Sequence, residues 1–279
     1  MSSLRSGLVP VLALGAAFLA TGAAQAADYT FGTQNAVKED WYVTIGGRAS
    51  ASPSYPGADD YSFRPSLIFS IARASERNVF HSVDDTPSIA LINRNGFRAG
   101  VAGTIDWGRS ESNGDRLRGL GTIDYSLLAG GFAEWFPVEW LRLRAELLYG
   151  MGGFSGVRGD LRADFIYNQG RWHFAAGPRL SYAGSDYMQT YYGVTASQAA
   201  LATFLFNPMR PYQASSGFDE VGATAQLSYN FDNGITAGVY GAYSYLIGDA
   251  ADSPLVDDKN QFTTGVTLSY TFNMGPGLW

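Results

Sequence analysis

The sequence predicts an all-β fold, a transmembrane antiparallel up-and-down β-barrel of about twelve strands, with about ten as the alternative. Three observations carry that prediction. Segments of roughly ten residues alternate apolar and polar side chains along nearly the whole chain, the two-residue period of a strand, with aromatics near their ends. The mid-strand charges Arg48, Arg64, Arg98, Asp106, Asp124, Arg142, Arg144, Glu146, Arg162, Asp164 and Arg179 all fall on the polar parity. A mid-bilayer arginine facing lipid would cost ~2–4 kcal/mol, so this parity is the lumen side. Finally, short turns alternate with long loops, as periplasmic turns and extracellular loops do in bacterial barrels.

Composition agrees. The chain of 279 residues carries 34 glycines, 17 tyrosines and 17 phenylalanines, with only 16% of residues charged. It has no cysteine, which excludes disulfides and thiolate metal sites. A net charge of −6 argues against a nucleic-acid partner, for which a basic face is expected. Residues 1–26 read as a cleaved export signal: Arg5, the apolar run Leu8 to Ala20, then Ala24-Gln25-Ala26. That run is too short to favour a spanning helix. Its removal leaves 18 basic against 25 acidic residues, a net charge of −7. Residues 27–40 read as a periplasmic leader, 41–272 as the barrel and 273–279 as a tail, which places the protein in a bacterial outer membrane.

Taken in order, Trp41 to Ala51 sends Trp41, Val43, Ile45 and Ala49 outward and Tyr42, Thr44, Arg48 and Ser50 inward. A loop through 53–61 leads to Ser62 to Ala72, where Pro65 removes a ladder hydrogen bond and predicts an irregularity. Between 78 and 93 the pattern suggests two short strands, Asn78 to Val83 and Pro87 to Asn93, around Asp84-Asp85-Thr86; including them distinguishes twelve strands from ten. Asn95-Gly96 is a type I′ hairpin signal, because both central residues of that turn need positive φ. Strands follow at Phe97 to Trp107, Leu120 to Trp135 and Leu141 to Tyr149, separated by a polar loop 109–118 and a turn at Pro137 to Glu139. Asp160 to Tyr167 turns at Asn168 to Gly170 into Trp172 to Tyr182, and a long loop runs through 183–218. Glu220 to Phe231 and Ile235 to Leu246 form a hairpin, a loop spans 247–260, and Gln261 to Phe272 is the last strand, with Tyr270 and Phe272 closing the barrel against the Trp41 strand.

The loops are the specific part. Pro53-x-Tyr55-x-Gly57-x-Asp59-Asp60-Tyr61 resembles the first-loop motif of the MipA/OmpV family, the MltA-interacting outer-membrane proteins. Tyr191-Tyr192-Gly193-Val194-Thr195 with Gln198-Ala199 resembles the tyrosine-rich segment of that family's longest loop. Tyr245-Leu246 and Ser253-Pro254-Leu255-Val256-Asp257 resemble its last-loop signature. The family's usual Gly-Ser-Asp is Gly57-Ala58-Asp59 here, and seven residues follow Phe272. The resemblance implies a scaffold that brings a membrane-bound lytic transglycosylase together with a penicillin-binding protein in murein synthesis; some members are discussed as adhesins.

Candidate chemistry is sparse. His81 and His173 are the only histidines. His173 lies on the lumen parity, wrong for a lipid-ester hydrolase, and His81 and Ser82 are strand neighbours that point to opposite faces. The simpler reading is polar lumen filling in a non-enzymatic protein that needs no cofactor. The inward charges suit either a salt-bridged plug or a pore, and mixed signs favour the plug. Asp59-Asp60, Asp84-Asp85 and Asp257-Asp258 suit Ca²⁺ or lipopolysaccharide-bridging cations, or simply solvated loops. Partners are then outer-membrane lipid and lipopolysaccharide, and the runner-up function is a narrow channel.

Overall fold

The computed structural model describes residues 39–76 and 79–276. The signal segment, most of the leader and Trp279 therefore lie outside the described residues.

Eleven strands form one sheet: β1 Asp40–Pro53, β2 Tyr61–Arg73, β3 Ser88–Arg94, β4 Phe97–Asp106, β5 Ser126–Val138, β6 Leu141–Gly152, β7 Gly156–Gln169, β8 Trp172–Ala183, β9 Gly217–Asn230, β10 Ile235–Leu246 and β11 Asn260–Pro276. Their order is β2-β1-β11-β10-β9-β8-β7-β6-β5-β4-β3, every ladder antiparallel. Inner faces of β1, β2, β7, β9, β10 and β11 line one common cavity, so the sheet is curled into a barrel wall. The two-residue period decides sidedness. Along β6, Arg142, Arg144 and Glu146 are buried while Leu143, Leu147 and Tyr149 are exposed. Outward positions elsewhere carry Leu67, Phe69, Val101, Phe165, Val266 and Leu268, an apolar belt far larger than a water-soluble monomer exposes. Trp107, Trp135, Trp140 and Trp172 are also exposed, as interfacial rings are.

The barrel is antiparallel as predicted, but the strand count is eleven among the described residues. Ser88–Arg94 is the second of the two short strands expected between 78 and 93. The first is absent over Val79 to Val83, which runs irregularly with the following residues to 87. Eleven strands in one antiparallel row reverse direction an even number of times between β2 and β3, so these two edges run parallel. The chain must therefore climb back between them, and it does so through the lumen.

Other boundaries also move. The ladder of β11 against β1 does not stop at Phe272: after Val43↔Phe272 and Tyr42↔Asn273 a bulge leads to Trp41↔Gly275 and Asp40↔Pro276. The first part of the expected tail is thus strand. Gly275-Pro276 breaks the alternation through a bulge, not through the end of pairing, and Asn273 donates to Asp40 Oδ2 at 2.7 Å across it. Strand β5 begins at Ser126, because 120–125 is held instead by the bridge Arg109↔Ile123. The long 183–218 connection is folded, with helices α1 Ser185–Tyr192 and α2 Ala196–Phe204. At the Asn95-Gly96 turn both φ values are positive, 52° and 77°.

Candidate functional site: the lumen, its plug and its cap

The three loop motifs converge on one place, the end of the barrel opposite the Asn95-Gly96 turn. Tyr55, 3% exposed, donates to Asp257 Oδ2 at 3.2 Å. Gly57 adopts φ +95°, and a Cβ there would meet Val256 at 2.6 Å. That close approach lets the Gly57 carbonyl accept from the amides of Asp257 and Asp258 at 2.8 and 3.1 Å, while its own N–H donates to Gln261. Ser253 Oγ donates to the Tyr192 carbonyl at 2.6 Å. Gly193 donates to Gln189, and Val194 bridges Tyr212. Pro254 is half-buried among these contacts, whereas Asp59, Asp60 and Tyr61 are exposed. Buried Tyr55, Leu117, Leu120, Val194, Ala199 and Leu255 form an apolar cluster. A second cluster includes Phe154, Tyr187, Tyr191 and Tyr192.

Polar groups tie this cap to the wall. Tyr191 donates to Asp106 Oδ1 at 2.9 Å. Arg109 donates to the Tyr191 carbonyl at 2.9 Å. Arg158 pairs with Asp219 at 2.6 Å and stacks on Tyr187. Burial first, then Asp257, raises the Tyr55 phenol; burial, then Asp106, raises that of Tyr191. Burial lowers the Arg109 guanidinium.

Below the cap, inward charges of β4 to β8 form one network. Arg142 is 0% exposed and reaches Glu134 at 2.8 Å, Asp164 at 3.0 Å and Asp85 at 2.6 Å. Arg144 reaches Glu146 at 2.7 Å and Glu134 at 3.2 Å, over the Phe132 ring. Arg98 pairs with Glu134 and with Glu76. Arg179 pairs with Asp84 and Asp164, both at 2.7 Å. Arg162 lies 3.5 Å from Asp85 and 3.8 Å from Glu146. Stripping water from these ions is costly, and their mutual pairing offsets it. The irregular 79–87 segment takes part throughout: beyond Asp84 and Asp85, Val83 N–H donates to Gln226 at 2.6 Å and Thr86 donates to Glu146. It is a plug.

Sequence reasoning missed the plug's centre. Asp84 and Asp85 read as a loop pair, but they face arginines inside the barrel. Glu134 went unremarked because its face-mates Leu128 and Phe132 are apolar; a charge on such a face was the available signal. His173 is hydrogen-bonded to Asn168 and Asn230 in the exposed hairpin end; Ser228 stands opposite it in the β8–β9 ladder, and among the described residues no serine is bonded to it. His81 sits 4.0 Å from Asp85. Among the described residues no acid or histidine cluster has a metal-binding arrangement.

Two of the inward arginines differ. Arg48 and Arg64 line a cavity of about 990 Å³ beneath the cap, yet neither pairs with a carboxylate among the described residues.

A family model described as "MltA-interacting protein MipA" matches residues 45–272. "Outer membrane protein OmpV" of Vibrio cholerae is 29% identical over 93 residues, 33% of this chain and 34% of that protein, so the match spans about a third of the relative's length. Among solved structures, the COG4313 outer membrane channel from Pseudomonas putida F1 aligns with 84% of this chain and 96% of its own at 11% identity and a TM-score of 0.43. The channel DcaP of Acinetobacter baumannii aligns with 83% and 96% at 8% identity and a TM-score of 0.38.

Proposed function

The chain belongs to the MltA-interacting protein MipA family and is an outer-membrane barrel protein, and from that membership we propose that it works as a non-catalytic interaction scaffold of the cell envelope. The observation that carries this reading is the obstructed lumen, packed by the Arg142 network and the 79–87 plug and covered by the docked loops. A barrel packed on its β4–β8 side, with its remaining cavities covered by the docked loops, offers surfaces before a path.

The partners proposed are a membrane-bound lytic transglycosylase and a penicillin-binding protein, met on the periplasmic side after export and signal removal. The turn at Asn95-Gly96 and those at 139–140 and 231–234 are short, so the 28–40 segment is the better docking element. The test is in-cell photocrosslinking from positions 28–40 and from Asn95 and Asn233. A transglycosylase adduct from the leader is expected; its absence from every position would sink the scaffold reading.

One observation supports a second reading, surface adhesion. Phe204 and Phe206, 79% and 95% exposed, stand beside half-exposed Leu201 at the edge of the cap, and Phe206 holds φ +61°. Replacing both by serine should abolish any host-surface binding and leave murein partners untouched.

A further inference from the structure

Where β2 and β3 face one another no ladder joins them. Strand β3 is also short: it starts at Ser88, opposite Ala102, so the upper part of β4 to Asp106 has no strand on the side away from β5. A cleft of about 1590 Å³ lies behind this opening, lined on the inner face by Tyr42, Ser70, Thr236 and Thr271 and by Asp84 and Asp85 of the plug, and it reaches the gap between Leu67, Phe69 and Ile71 on one side and Ile89, Val101 and Trp107 on the other. Its rim is apolar and open: Leu67 is 92% exposed and Trp107 79%. Arg48, Ser66 and Trp107 also line the cavity beneath the cap, so cleft and cavity are continuous.

At that junction sit the two arginines without counter-charges. Arg48 opposes Ser66 and Arg64 opposes Ser50 in the β1–β2 ladder, which makes the two arginines diagonal neighbours on one inner face. Arg48 has its Nε buried without an acceptor and stands 5.7 Å from the Tyr240 ring. Among the described residues Arg64 donates only to neutral oxygens, the Ser54 and Pro53 carbonyls and Ser62 Oγ. Of the acids that line the same cavity, Asp84 is engaged by Arg179 and Asp160 by Ser181 and Arg162, while Glu220 forms no ion pair among the described residues; five arginines, Arg48, Arg64, Arg109, Arg162 and Arg179, outnumber these three acids. A positive pocket remains, with an apolar slot leading from it into the membrane.

We propose that this cleft binds a long-chain fatty carboxylate, its head between Arg48 and Arg64 and its single hydrocarbon chain lying between β2 and β3. A planar carboxylate matches the guanidinium fork. One inter-strand slot accepts one chain, which disfavours multi-chain lipids. The polarity also fits: Arg64 is near the capped end of β2, while Leu67, Phe69 and Ile71 follow toward the other end, so the ligand would lie head outward like an outer-leaflet lipid. This goes beyond the scaffold reading and stands independently of it.

The test uses the full chain in detergent, with native mass spectrometry of added palmitate, hexadecanol and hexadecyl phosphate. One palmitate should bind saturably, and Arg48→Gln with Arg64→Gln should weaken it roughly ten- to hundredfold, the value of a lost charge-assisted contact. Hexadecanol binding as tightly as palmitate, or indifference to the double substitution, would overturn the proposal; tighter binding of hexadecyl phosphate would overturn the carboxylate assignment. Independently of that variant's folding, 9,10-dibromostearate should quench the wild-type fluorescence more than that of Trp107→Phe. The chain has no cysteine, so Leu67→Cys with Ile89→Cys gives a clean check. A disulfide needs Cα atoms within about 7 Å, and its spontaneous formation without ligand would show a closed cleft and refute the site.

Discussion

The two halves of the lumen wall carry the same residue type on the same parity and give it opposite surroundings. On β6, Arg142 touches three carboxylates and loses all its solvent exposure. On β1, Arg48 stands 5.7 Å from the Tyr240 ring and pairs with no acid among the described residues. The difference comes from what stands opposite: the 79–87 segment pairs Asp84 and Asp85 with the arginines of β6, β7 and β8, and Asp84 otherwise meets Thr224 of β9. An inward arginine therefore becomes structural where a second segment supplies its counter-charge, and stays available where none does.

The largest effect should come from breaking the neutralised half. Arg142→Ala leaves Glu134, Asp164 and Asp85 buried without their shared cation, and should cost ~3–5 kcal/mol in urea unfolding of the detergent-refolded barrel. Arg48→Gln in the other half should stay within about 0.5 kcal/mol, because nothing is left unpaired. Equal losses would erase the distinction. Next in size, Asp84→Asn with Asp85→Asn should weaken the hold on the plug by ~1.5–3 kcal/mol per charged contact, and expose 79–87 to protease while the ladders persist. A plug that remains protected would mean that the Gln226 contacts and packing suffice.

Smaller effects belong to the cap. Tyr55→Phe removes one hydrogen bond to Asp257 and should cost ~1 kcal/mol, seen as faster cleavage within 193–214 and unchanged barrel unfolding. Alkaline pH should act on the same contact. The folded cap favours neutral Tyr55 and Tyr191, whose values lie above the ordinary 10.0. Their contribution is complete below that value and diminishes as pH rises beyond it toward the raised values. Protease sensitivity of the cap should accordingly climb only above about pH 10; a rise already at pH 8 would assign the cap's stability to other groups.

Strand phase is legible in the sequence because a two-residue period leaves the same trace in every strand. The 142–146 run reads Arg-x-Arg-x-Glu, and no other geometry puts all three on one face. Strand number is less legible: Val79 to Val83 has the alternation of a short strand, but paired acids at 84 and 85 find better partners in the lumen than a place in the wall. Ion pairs across 57 and 95 residues, Asp85 to Arg142 and Asp84 to Arg179, leave no local signal. The loop motifs at 55–61, 191–195 and 253–257 were recognisable one by one. That Tyr55 meets Asp257 and Tyr192 meets Ser253 follows only from the fold.

Conductance across a planar bilayer tests the central claim most directly. The refolded wild-type chain should insert silently at moderate voltage, and Asp84→Asn with Asp85→Asn should show openings that the wild type lacks. A steady open-state current from the wild type would contradict a plugged lumen and return the protein to the channels.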